Sequence, residues 1–383
     1  MTETEATVGE MMLTRARAAA PVLAEHAAYA DEELRLAPES IKALREVGVF
    51  EINTPKRFGG PDLSTAETAR VLIELGRADP AAAWLAGVCA EGKLLVDPLI
   101  SSETGAEVFA DPGVRICGVG LPPGQAERVP GGLRVSGRWS YASGCEDASW
   151  AGTSVMPDGG PFTMVVMPMG DLEIDRTWDT VGLRGTGSHT LVAREVFVPV
   201  ARVLEMPTLP NGFPDMGAGR PLFVFVNDVL LLAPMVGAAR GALDTVEAIM
   251  PTRKPPMMAY DSLADTPSAR NLFAQAAHLV ETAERGVLSL AARIDQHWPG
   301  TGLPARELAG MRMEEITTVN QCRTAVDMLL DLHGSSGLAK ASPLQRYWRD
   351  LHMGTRHMRF TSYRELENYG NLVTRKPDAT PAD

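Results

Sequence analysis

Cysteine is scarce. Four occur in 383 residues, at positions 89, 117, 145 and 322, and none forms a Cys-x-x-Cys pair. That usage excludes a disulfide framework and reads as reduced, mostly buried thiols of a cytoplasmic protein. The seven histidines are scattered, with no His-Glu-x-x-His and no paired Cys/His spacing, so no metal site is expected. Positive charge is in deficit: 36 Lys and Arg face 48 Asp and Glu, a net charge of −12. A nucleic-acid or anionic-membrane surface is therefore not expected. No apolar run is seen to approach the roughly 20 residues of a spanning helix. The opening MTETEATVGEMM has no basic stretch followed by an apolar one, so no signal peptide is expected. Gly118-Val119-Gly120 leads into Pro122-Pro123 rather than into a helix, which removes a dinucleotide-binding loop.

What is present is ordinary globular composition, 45% hydrophobic and 22% charged, long enough for two or three packed units. Met12, Ala16, Ala19 and Leu23 recur at helical spacing. Pro38 and Gly48 bracket a second helix with Ile41, Leu44 and Val47 on its apolar side. Further helices are predicted from about Thr65 to Leu75 and from Ala81 to Leu95. After Asp111-Pro112-Gly113, alternation replaces helical periodicity up to about Phe225. Leu133 and Val135 alternate with polar neighbours, as do Trp139 and Tyr141, then Phe162, Met164 and Val166. Gly131-Gly132, Asp158-Gly159-Gly160 and Met169-Gly170-Asp171 break the strands. Alternation also puts Trp139 and Tyr141 on one face. Helix returns near Asn227, most clearly over Arg306 to Leu332, with Gly334 as the stop. Helices, strands, then helices is an α+β pattern and disfavours a parallel doubly wound sheet. The expected division is an N-terminal helical domain over 1–112, a β-barrel-like domain over 113–225 and a helical bundle over 226–383.

Four segments carry a resemblance. APESIKALREVGVFEINTPKRFGGPDLS places a helix-ending Gly48 before a loop with Pro55, Gly59 and Gly60. SGRWSYASGCEDASWAG follows, then TWDTVGLRGTGSHTLVAREVFVP from Trp178 to Pro199, then LHGSSGLAKASPLQRYWRD ending in Arg349-Asp350. In this order, over roughly residues 36 to 370, they resemble the acyl-CoA dehydrogenase superfamily. The dehydrogenases place a Glu shortly after the Arg-Asp; here the chain reads Arg356-His357-Met358. A His there, with the Trp348 to Asp350 wording, resembles the branch of two-component flavin monooxygenases.

The resemblance implies an oxygenase component that uses reduced flavin (FMNH2 or FADH2) and O2, through a flavin C4a-hydroperoxide, to hydroxylate a small aromatic or electron-rich substrate. It implies a homotetramer and a separate, transient NAD(P)H:flavin reductase. The cofactor would carry the chemistry while the protein orients it and excludes water. His357 is the candidate donor or proton carrier, since imidazole titrates near neutral pH. Ser143 matches the hydroxyl near flavin N5 and O4, and Tyr141 the aromatic on the ring, with Trp139 beside it. Thr186 and Ser188 match small polar contacts to flavin, with Gly185 and Gly187 leaving backbone N–H groups open to an anion. Arg253 falls where a neighbouring subunit's flavin phosphates would lie, and Ser336 and Gly337 lie in a turn reaching the same cofactor. On the substrate side stand Glu91 and the loop with Gly120 and Pro122. His352, His189 and His333 read as structural. Two alternatives stay open: a thioester-oxidising enzyme with Glu91 or Glu365 as base, and a catalytically silent member of the fold.

Overall fold

The structure, a computed structural model, describes residues 6–97, 100–206, 221–298, 300 and 303–374. The N-terminal helices are α1 (Val8–Glu33), α2 (Pro38–Val47), α3 (Thr65–Ala78), α4 (Pro80–Val96) and α5 (Ser102–Val108). The strands are β1 (Ile116–Val129), β2 (Gly132–Ala142), β3 (Trp150–Pro157), β4 (Thr163–Pro168), β5 (Glu173–Asp175), β6 (His189–Pro199) and β7 (Val203–Glu205). Then come α6 (Pro221–Ile249), α7 (Pro267–His297), α8 (Ala305–His333), α9 (Pro343–Gly354) and α10 (Ser362–Thr374). Local signals set many of these ends. Pro38 opens α2 and Gly48, at φ 85, closes it by donating back to the Arg45 and Leu44 carbonyls. Ser64 and Glu67 form a capping box on α3, and the Asp79 side chain accepts from Ala81 N at the start of α4.

The strands form a sheet in the order β5-β6-β2-β1-β3-β4-β7. Pairing is antiparallel except between β1 and β3. The sheet is open, which corrects the barrel-like expectation. Its edges, β5 and β7, are three residues each, too short to build a closing ladder. Leu133, Val135, Trp139, Val155, Val165, Met167 and Leu191 fill one buried face.

The helices from both ends of the chain share one core. Leu72 and Leu75 of α3, Ala86 of α4, Val236 of α6, Val287 of α7, Val326 of α8 and Leu351 of α9 belong to it. α6 is its axis. A Cβ on Gly76 or on Gly237 would collide with the backbone of the opposing helix, so α3 and α6 pack backbone against backbone at these glycines. Helix is already established at Pro221, so the strand-like texture did not extend to Phe225. α6 also corrects the reading of apolar runs. Leu222–Ile249 spans 28 residues at mean hydropathy 2.0, long and apolar enough to cross a membrane, yet 94% of its apolar window is buried inside the protein. A helix apolar all round is the central member of a helical core.

Candidate active site

The site grows from a flaw in β2. Trp139 pairs with Leu191 and Ala142 with His189, so three steps on β2 meet two on β6. The extra residue is a bulge, and Tyr141 takes φ 69 within it. The bulge corrects the shared-face expectation. Trp139 is fully buried in the sheet core and donates Nε1–H to the Ser154 carbonyl at 3.0 Å. It leaves no surface for a cofactor. Tyr141 is turned out, 65% exposed, with its ring edge-on to Trp178 at 5.6 Å.

Ser143 lies just past the bulge and heads a row of buried hydroxyls. Ser143 Oγ is 2.8 Å from Ser188 Oγ, which is 2.7 Å from Thr186 Oγ1. Thr186 donates to the Leu183 carbonyl at 2.7 Å. A hydroxyl has one proton, so the direction of the row follows. With its proton committed to Leu183, Thr186 can only accept from Ser188. Ser188 must in turn accept from Ser143. The indole Nε1–H of Trp84 donates to Ser143 at 3.4 Å. Ser143 therefore offers a ligand an acceptor, not a donor. The row is anchored from the far end of the chain: Asp350 Oδ1 accepts from Leu183 N at 2.6 Å. Burial pushes the Asp350 carboxyl up to about 7. Gly185 is closely packed, since a Cβ there would press on Ala30 and Ala81, and Gly187 N donates to the Arg184 carbonyl at 3.2 Å.

His357 closes the site from the other side. It is not on the helix: α9 stops at Gly354, and His357 has extended backbone at the start of a short 3-10 turn. Its ring meets Trp84 edge-on at 5.9 Å, so Trp84 touches both His357 and Ser143. Nδ1 accepts from Arg359 N at 3.5 Å, which leaves the ring proton on Nε2. Burial, reinforced by the Arg359 charge, pulls His357 down to about 4. Burial thus favours the neutral imidazole, whose Nε2–H is left as a donor. Arg359 is ion-paired to Glu91 and to Asp228 Oδ1 at 3.4 Å. Glu91 is thus engaged, not a free base. Glu365 is likewise paired, with Arg364 at 2.6 Å.

Tyr141, Ser143, Thr186, Ser188 and His357 come together, and Glu91 joins them through Arg359; the other nominated residues do not. Gly120 and Pro122 lie in a bulge of β1 between Val119 and Gly124, where the Gly120 carbonyl accepts from Ser154 Oγ at 2.6 Å. Arg253 forms a second cluster, donating to Ser336 Oγ at 2.7 Å and lying 3.2 Å from His333 Nδ1, with Gly337 packed on the His333 ring. His189 accepts from Trp178 N at 3.1 Å and holds the loop before β6. His352 pairs with Asp327 at 3.3 Å. Trp84 and Arg359 were missed. Their signals were faint: an indole in an otherwise small-residue helix, and an arginine two places past the nominated histidine.

Comparison with known proteins gives this arrangement a family. The acyl-CoA dehydrogenase N-terminal domain model matches residues 9–101 and the C-terminal domain model matches 229–362. The oxygenase subunit HsaA of a flavin-dependent monooxygenase from Rhodococcus jostii (strain RHA1) is 30% identical over 374 residues, covering 94% of this chain and 97% of that protein. The chain belongs to the flavin-dependent monooxygenases of the acyl-CoA dehydrogenase fold. Another member, the oxygenase component of an FADH2-dependent resorcinol hydroxylase from Rhizobium sp. (strain MTP-10005), is 34% identical over 85% of each chain. XiaF from Streptomyces sp., solved with FADH2 and glycerol, superposes with a TM-score of 0.87 at 28% identity over 97% of both chains. The donor set found here fits a flavin. An acceptor hydroxyl, an exposed tyrosine and a neutral imidazole suit a flat heteroaromatic whose edge carries N–H and C=O groups in turn.

Proposed function

We propose that this chain is the oxygenase component of a two-component monooxygenase that uses reduced flavin and O2 to hydroxylate a small aromatic substrate. The observation that carries this reading is the Ser143–Trp84–His357 contact, which puts an acceptor hydroxyl and a neutral imidazole donor around one indole. Reduced flavin, FMNH2 or FADH2, would supply the activation of oxygen. Ser143, held by Ser188 and Thr186, would accept from the reduced ring, and Tyr141 would cover its face. His357 would donate Nε2–H to a developing oxygen charge and keep water from that position. The chain has no dinucleotide loop, so a separate NAD(P)H:flavin reductase would deliver the reduced cofactor. The Arg253–Ser336–Gly337 cluster would reach the flavin phosphates of a neighbouring copy in a homotetramer. Met257, Met258 and Leu338, all exposed on the same two segments, would be covered by that contact. Free, buried cysteines fit work in the cytoplasm.

A thioester dehydrogenase needs a free carboxylate base beside the flavin. Among the described residues, Glu91 and Glu365 are the nominated ones and both are ion-paired. The test is to load the protein anaerobically with reduced FMN or FAD, mix with oxygenated buffer and a phenol, and assay product against hydrogen peroxide. Wild type should couple oxygen to product, and His357→Ala should fold, bind flavin and release mainly peroxide. Equal coupling in wild type and His357→Ala would remove His357 from the mechanism.

A further inference from the structure

Trp84 and Glu91 stand seven residues apart on α4, two turns along one face, about 10 Å from each other. Trp84 meets His357, and Glu91 meets Arg359, two residues further on. The helix face and the 357–359 segment therefore run side by side, with the indole and imidazole at one end and a guanidinium at the other. A half-buried arginine at the end of an aromatic site would ordinarily be an anion receptor. Here its charge is already taken. Arg359 is held by Glu91 and by Asp228 Oδ1, whose other oxygen is paired to Arg312. Arg312 also holds Glu315 at 2.8 Å and lies over the Phe225 ring at 4.4 Å. Two arginines thus face three carboxyl groups, and Glu315 still has one oxygen with no hydrogen-bond partner inside the protein.

We propose that Glu91 is a specificity-determining residue: by occupying Arg359 it makes the site reject anionic aromatics and accept uncharged ones. An incoming carboxylate would have to displace Glu91 from Arg359, leaving a second carboxylate in the same half-buried space beside Asp228. Like charges so close, partly removed from water, repel strongly. A neutral hydroxyl or amide meets no such opposition. This inference rests on the site assigned under Proposed function and names its substrate class.

The probes are 3-hydroxybenzamide and 3-hydroxybenzoate, matched in shape and differing in charge at neutral pH, measured by calorimetric titration of the reduced-flavin-loaded protein. Wild type should bind the amide at least tenfold more tightly than the carboxylate. Glu91→Gln keeps the length of the side chain and the possibility of a hydrogen bond to Arg359 while removing one negative charge beside it. It should bring the two affinities level or reverse their order. Equal affinities in wild type, binding of neither probe, or an unchanged ratio in a folded Glu91→Gln would each overturn the assignment. Should Glu91→Gln not fold, the wild-type ratio still decides. Flavin binding measured alone separates the two readings: its failure sinks the flavoenzyme assignment, whereas bound flavin with no charge discrimination sinks only this one.

Discussion

Replacing Asp350 by Asn should change stability in a pH-dependent way whose size follows from the structure. Asp350 is 2% exposed, and its Oδ1 accepts from Leu183 N at 2.6 Å. Burial lifts its carboxyl from 3.8 to about 7, with nearby Asp79 adding to the lift and the Leu183 N–H and Arg349 opposing it. A folded pKa raised above the unfolded one gives stability that is full below the unfolded value and lost as pH rises through the folded value. Here the window runs from about pH 4 to pH 7. At roughly 1.4 kcal/mol per unit, the whole loss is about 4 kcal/mol, of which ~2.5 kcal/mol falls between pH 5 and pH 8. Asparagine cannot ionise, yet it keeps an acceptor for Leu183 N–H. Asp350→Asn should therefore gain ~2.5 kcal/mol on wild type between pH 5 and pH 8. Urea unfolding of both proteins at the two pH values, at one protein concentration, measures it. A stability difference that is the same at both would refute the buried, protonated carboxyl. Asp350→Ala separates charge from anchoring. It strands a buried N–H at every pH, at a cost of about 1–3 kcal/mol, and should loosen the hydroxyl row as well.

Thr186→Val removes the hydroxyl that fixes the direction of the row. Flavin binding should weaken about fivefold, the ~1 kcal/mol of one neutral hydrogen bond, and Thr186→Ser should restore it. An unchanged dissociation constant by fluorescence titration would take the row out of cofactor binding. The ring protons of His357 should give no NMR titration above about pH 5.5, because the folded imidazole sits at about 4; a midpoint near 6.5 would contradict its burial. Its depressed pKa also costs the fold stability as pH falls from 6.5 toward 4. Trp84→Phe keeps the aromatic contact to His357 but deletes the N–H to Ser143, and should raise peroxide release at nearly unchanged melting temperature. A wild-type product-to-peroxide ratio would make that N–H incidental.

Much of this fold was legible because its signals are local. Pro38 and Gly48 mark a helix with no help from the rest of the chain, and Gly131-Gly132 marks the turn between β1 and β2. Ser143, Thr186, Ser188 and His357 could be nominated because each lies in a short segment with a family pattern. Failures came where the deciding geometry is not local. Strand alternation assigned Trp139 and Tyr141 to one face, and a single extra residue, visible only in the pairing with β6, parted them. The charge on Glu91 could be read, but its engagement depends on Arg359, 268 residues away. The apolar length of α6 misleads in either direction until the helices around it are in place.

Those distant contacts share a pattern. Leu183, whose carbonyl sets the direction of the hydroxyl row, is gripped through its N–H by Asp350 of α9. The next residue back, Arg349, is paired to Asp31 of α1 at 2.8 Å and also to the Val181 carbonyl. One dipeptide near the C-terminus thus ties the first helix to the loop that carries Thr186 and Ser188. Trp84 of α4 then reaches from the N-terminal helices to Ser143 of the sheet and His357 beyond α9. Neither the sheet nor either helical segment contains the site alone. The polarity of Ser143 and the neutrality of His357 exist only once all three have packed. A ligand that requires them stabilises that packed state by mass action, so flavin affinity and global stability should move together in variants of Asp350 and separately in variants of Thr186.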